Sequence, residues 1–253
     1  MNDKKTRGPV ALVTGGARGI GKGCAEALGR RGFDLVLVDL LEHELEATVA
    51  EFGRDGVAAQ GFVADVANHR RAHEVVAEVL GRHAGIDVLV NNAGTPMPKG
   101  LLEIEEHEWD RTIDVHMKGC FNWCRAIAPS MLERGAGRII NISSVSAHSG
   151  GVTSAVSKFA YAGAKAGILG MTRALAKELG PAVSVNAICP GAIKTELTAS
   201  MLEERSAEFI GSICLGRLGT PADIGEVAAF LATAEPNFIT GQAITVDGFQ
   251  WAV

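Results

Sequence analysis

Tyrosine occurs once in the 253 residues, at Tyr161, so chemistry that needs a phenol has one candidate. Lys165 follows four positions later in a stretch that reads as helix, and residues four apart share a helix face. A free phenol, with a pKa of about 10, is a poor base at neutral pH. An adjacent ammonium stabilises the phenolate and is expected to lower that pKa. A base poised nearer the working pH takes a proton from an alcohol or gives one to a carbonyl. Y-x-x-x-K alone marks many ordinary helix surfaces. Here it follows the pair Ser143-Ser144, which ends an apolar run from Arg138 to Ile142.

A second constellation opens the chain. The apolar run Val10 to Thr14 leads directly into Gly15-Gly16-Ala17-Arg18-Gly19-Ile20-Gly21, and a helical pattern follows. Glycines allow a tight turn and let the backbone approach a pyrophosphate, while the helix start offers free N–H groups and a favourable dipole. The spacing is T-G-x-x-x-G-x-G, and the strand–turn–helix context supports a dinucleotide site. The next apolar run ends at Asp39, 20 residues past Gly19. A carboxylate there can accept from the adenosine ribose hydroxyls and would repel a 2′-phosphate, which favours NAD over NADP. The plainer reading of Asp39 is a helix cap or a solvated acid. Arg18 pulls the other way, because a cation in the glycine loop could meet a 2′-phosphate.

The elements that must position these groups alternate. Strands are expected at Val10 to Thr14, Asp34 to Val38, Val57 to Ala64, Asp87 to Asn91, Arg138 to Ile142, Val183 to Ile188 and Ala243 to Val246. Helices are expected at Ile20 to Arg31, Leu41 to Arg54, Arg70 to His83, Glu105 to Arg134 (with Pro129 tolerated or kinking it) and Phe159 to Leu179, with polar helical segments near the end. Continuously apolar strands alternating with helices imply an α/β fold. It is a single doubly wound domain, a parallel sheet with helices on both faces, and ligands lie beyond the carboxyl ends of the strands.

Composition excludes several classes. With 47% hydrophobic and 21% charged residues the chain is not disordered, and 253 residues suit one large domain. A net charge of −5 argues against a nucleic-acid partner. No apolar run reaches membrane-spanning length, and Met1 to Pro9 lacks the apolar core of a signal peptide. The five cysteines form no C-x-x-C pair and read as reduced thiols in a cytoplasmic protein. His69 and His73 lie four apart without a third ligand, so no metal site is expected.

The chain resembles the short-chain dehydrogenase/reductase family over nearly its whole length. The resemblance rests on the glycine loop, Asn91-Asn92-Ala93-Gly94, Asn141-Ile142-Ser143-Ser144, Tyr161 to Lys165, Pro190-Gly191, Gly216 to Pro221, and Thr240-Gly241 to Asp247-Gly248, all in the family's order. It implies a Rossmann-like fold, with the cofactor-binding part at about 9–190 and a small substrate lid at about 195–215. It further implies that Ser144 hydrogen-bonds the substrate oxygen, with Ser143 as runner-up. Tyr161 is then the acid/base, and Lys165 holds the nicotinamide ribose and supports Tyr161. Cofactor contacts carried over are Gly15, Arg18, Gly19, Ile20, Gly21 and Asp39; Asp65 and Val66 at the adenine; Asn91, Ala93 and Gly94 at the ribose side; and Pro190, Gly191, Ile193 and Thr195 at the nicotinamide. A homotetramer is implied as well.

Two departures stand out. His116 replaces the family's usual catalytic asparagine, either as a hydrogen-bonding ring in a proton relay or as a packed residue whose backbone carbonyl serves that relay. The separation of Ser144 and Tyr161, 17 residues, is longer than the family's usual one, which points to a specificity-shaping Ser146 to Phe159 loop bearing His148. The expected activity is hydride transfer between NAD(H) and a secondary alcohol or ketone. The alternatives are an NADPH-dependent 3-oxoacyl-[acyl-carrier-protein] reductase and, from another class, a non-catalytic dinucleotide-binding scaffold.

Overall fold

Successive residues of β1 (Val10–Thr14) point to opposite faces of the sheet, and both faces are covered: Val10 and Leu12 enter one core, Ala11 and Val13 the other. The computed structural model describes residues 8–150, 157–199 and 205–250. Its sheet also contains β2 (Asp34–Asp39), β3 (Ala59–Val63), β4 (Val88–Asn91), β5 (Gly137–Ile142), β6 (Val183–Pro190) and β7 (Ala243–Val246). All neighbours pair in parallel, in the order β3-β2-β1-β4-β5-β6-β7. The chain walks outward from β1 to β3, then returns to β4 beside β1. That reversal opens the crevice at which doubly wound sheets bind ligands.

One core lies under α3 (His69–Leu80), α5 (Gly119–Arg134) and α7 (Phe159–Leu179), centred on Trp123, Ile127 and Met131. The other lies under α1 (Gly19–Gly29), α2 (Glu42–Arg54) and α9 (Pro221–Thr233), with Leu28, Phe52 and Ile224. Between them in the chain come α4 (Glu106–Ile113), α6 (Ser146–Ser149) and α8 (Ser206–Ser212).

Three expectations need correction. The helix expected across Glu105 to Arg134 is three pieces, because a π turn at Asp114–Lys118 separates α4 from α5. That extra residue per turn rotates the helix so that both Val115 and His116 are buried. The loop after Ser144 begins with the short helix α6, and residues 151–156 of the same loop lie outside the described residues. Of the lid, 200–204 lie outside them too. Lastly, α9 is not polar. Its glycine and alanine face packs on α1, where a Cβ added at Gly23 would stand 2.6 Å from the Pro221 carbonyl oxygen. No described helix is long and apolar enough to cross a membrane.

Candidate functional site

The glycine loop is held from β4. Thr14 Oγ1 accepts from the backbone N–H groups of Asn92 (3.0 Å) and Ala93 (3.2 Å). The Asn92 amide returns two bonds of 3.0 Å to the carbonyls of Thr14 and Gly15. Gly15 has φ +64°, and a Cβ there would lie 2.8 Å from that amide nitrogen, so only glycine fits. Asn92 was not among the expected site residues. An asparagine side chain imitates a peptide group, and its position directly after a buried strand was the available signal. Helix α1 then begins without a side-chain cap, leaving the N–H groups of Gly19, Ile20 and Gly21 without that partner. This cradle fits a pyrophosphate. Thr195, expected beside the nicotinamide, reaches this loop, its methyl 3.4 Å from where a Gly19 Cβ would be.

Asp39 ends β2 facing this loop. Its Oδ2 accepts from Ala17 N (3.0 Å) and its Oδ1 from Leu41 N (3.1 Å). Both oxygens keep a free lone pair. Among the described residues no hydrogen bond or ion pair of the Arg18 guanidinium is found. Two residues past β3, the Asp65 carboxylate meets Arg111 Nη1 at 2.8 Å and the Ala67 N–H at 2.9 Å. Burial alone would raise its pKa, but these bonds hold it below the ordinary carboxylate value. Val66 is buried, and its carbonyl accepts from Asn122 (2.9 Å).

Asn91 turns inward. Its Nδ2 donates to Asn141 (2.9 Å) and Cys124 (3.3 Å), while its Oδ1 has no partner. Of the three residues expected at the ribose side, Asn91 thus directs its side chain away from the crevice into the core. On the far side, Pro190 accepts from Val145 N (3.1 Å), Gly191 N donates to Val246 (3.1 Å), and Ile193 bridges to Gly219. These bonds fix the loop after β6 at the crevice.

The reactive side chains converge between β5, α7 and the π turn. The two serines divide their work. Ser143 Oγ donates to the Lys165 carbonyl (2.8 Å) and is buried, whereas Ser144 Oγ accepts from the Ser146 N–H (3.1 Å) and faces the Tyr161 hydroxyl. Lys165 Nζ donates to the Ile142 carbonyl (2.7 Å) and lies 5.6 Å from the centre of the Tyr161 ring. The His116 ring meets Tyr161 edge to face, with centroids 5.1 Å apart. His116 Nε2 lies 2.9 Å from the Thr95 carbonyl, which makes it the protonated nitrogen and leaves Nδ1 an acceptor without a partner. A cavity of about 10 Å³, room for about one water centre, is lined by Thr14, Asn91, Ala93, His116, Ile142 and Lys165.

Burial governs the electrostatics. It pushes His116 down to about 3, with the Lys165 charge adding and the Thr95 bond opposing. It pushes Lys165 down to about 8, against the Cys120 and Cys189 thiols. It raises Tyr161, and the Ser144 bond opposes the rise. The expected lowering of Tyr161 by Lys165 is not found: the ammonium is spent on Ile142, and desolvation of the phenol dominates. Among the described residues no group of three or more His, Cys, Asp or Glu could hold a metal.

A family model described as enoyl-(acyl carrier protein) reductase matches residues 15–248. The 3-oxoacyl-[acyl-carrier-protein] reductase of Thermotoga maritima is 36% identical over 245 residues, covering 96% of this chain and 98% of that protein. The chain belongs to the short-chain dehydrogenase/reductase family. It is an oxidoreductase that transfers hydride with a nicotinamide dinucleotide. A second family member, the (2S)-[(R)-hydroxy(phenyl)methyl]succinyl-CoA dehydrogenase subunit of Thauera aromatica, is 39% identical over 240 residues, covering 94% of this chain and 95% of that protein. Among solved family structures, a Brucella melitensis glucose/ribitol dehydrogenase superposes with a TM-score of 0.89 at 32% identity, covering 97% of both chains.

Proposed function

We propose that the protein interconverts a secondary alcohol and its ketone with NAD(H), with Tyr161 as the acid/base. The observation that carries this is the convergence of Ser144, the only tyrosine and a buried lysine at the carboxyl ends of β5 and β6. The dinucleotide supplies the hydride donor or acceptor at its nicotinamide ring. The chain's own residues do the rest. The loop Gly15 to Gly21 holds the pyrophosphate by backbone N–H groups, with Arg18 and Thr195 at its rim. Asp39 accepts from the adenosine ribose, Asp65 and Val66 line the adenine, and Ala93 and Gly94 form the ribose wall, with the inward-turned Asn91 behind them. Pro190, Gly191 and Ile193 form the nicotinamide wall. Ser144 donates to the substrate oxygen, and Tyr161 passes a proton at that oxygen. Lys165 changes partner from Ile142 to the ribose and brings its charge to the phenol. His116 acts as a neutral ring that positions Tyr161 and offers Nδ1 to the proton path.

The NAD preference rests on Asp39. Titration with NADH and NADPH checks it: tighter binding of NADPH would contradict it, and Asp39→Ala is expected to narrow the difference. A 3-oxoacyl thioester is the second substrate reading, favoured by two relatives named for acyl-carrier-protein and CoA thioesters. Nicotinamide absorbance over a panel of simple ketones, acyl-CoA and acyl-carrier thioesters separates the two. A cytoplasmic setting is supported by five free cysteines. A homotetramer is part of the same reading.

A further inference from the structure

One ion pair at the cofactor cleft has no part in proton or hydride transfer. Asp65 follows β3, whose last residue Val63 pairs with Asp39 of β2, so the two carboxylates stand at the same edge of the sheet. Arg111 comes from α4, 46 residues away, and clasps Asp65 Oδ2 at 2.8 Å. The Ala67 N–H holds Oδ1 at 2.9 Å. The carboxylate is thus fixed at both oxygens, and each keeps a lone pair for a further donor. Its neighbour Val66 lines the same cavity as Ala93, Val115 and His116, which puts the segment in the wall of the cleft. Both partners are partly exposed, and a pair of that exposure adds little to stability.

An ionised carboxylate can only accept. It matches the exocyclic amino group of adenine, a donor, and opposes the carbonyl that hypoxanthine carries at the same position. We propose that Arg111 is a positioning residue for cofactor selection: by fixing the Asp65 carboxylate, it makes the cleft choose an adenine dinucleotide over its hypoxanthine counterpart. This rests on the dinucleotide arrangement proposed above.

The test is equilibrium binding of NADH and NADPH, each beside its hypoxanthine analogue, to the full chain. Wild type should bind the adenine forms about tenfold more tightly, the scale of one hydrogen bond to a charged group. Arg111→Met keeps the apolar stem and removes the clasp, so most of that gap should close. Arg111→Lys keeps the charge and should recover part of it. Asp65→Asn can present its amide N–H to the base and should reverse the preference. An ion pair that merely anchors α4 would weaken both forms by one factor and leave the gap intact, which would overturn the proposal alone. Wild type with no gap would overturn it too. Wild type that binds no dinucleotide would overturn the cofactor reading and this inference with it.

Discussion

His116 shows how burial changes what a residue type can do. Its ring is 2% exposed, and its pKa falls to about 3 from the ordinary value near 6.5. A free histidine would add a titration step near neutrality; this one stays neutral throughout the working range. The unfolded chain takes up the proton below about pH 6.5 and the folded chain does not. Stability from this site is therefore complete above pH 6.5 and declines as the pH falls toward 3. Between pH 7 and pH 5 the loss is roughly 2 kcal/mol. Urea denaturation at the two pH values should show it in wild type and not in His116→Asn. The pH profile of turnover should also lack a step near 6.5. Residue types alone left the serine role divided. In the structure Ser143 spends its hydroxyl on the Lys165 backbone, and Ser144 is the one that faces Tyr161.

At the level of elements, α1 and α9 touch through glycines. A Cβ at Gly225 would collide with the backbone oxygen of Gly23. Gly225→Ala is expected to destabilise the fold by about 1–3 kcal/mol, read as a lowered denaturation midpoint. Strand–helix alternation was legible in the sequence because a fully buried strand and an amphipathic helix leave different apolar spacings. The bounds of α7 and β7 agree with that reading, Phe159–Leu179 and Ala243–Val246. The π turn was not legible: it changes hydrogen-bond register by one residue, while Val115, His116 and Met117 suit either register. Asn92 and Arg111 were hidden for a different reason. Their partners Thr14 and Asp65 lie 78 and 46 residues away, and no local pattern reports such distances.

Over the whole molecule, apolar strands alternating with helices pointed to the doubly wound class and the order of motifs to the family, while the net charge of −5 spoke only against a nucleic-acid partner. The proposed homotetramer would use surfaces the sheet does not cover. Phe121 on α5 is 48% exposed and Phe230 on α9 is 51% exposed, on opposite sides of the sheet. Exposed aromatic rings on both sides of the sheet would be covered in a closed symmetric assembly. Light scattering should give about four times the 26.4 kDa chain mass, and a stable monomer would contradict that. The chemistry, finally, depends on one oxygen atom. Tyr161→Phe keeps the ring that packs against His116 and removes only the hydroxyl, so the fold and dinucleotide binding should persist. With any substrate that wild type turns over, its nicotinamide-linked rate should fall by ~10²–10⁴-fold. A rate near that of wild type would contradict the mechanism, because the chain has no second tyrosine to supply the proton.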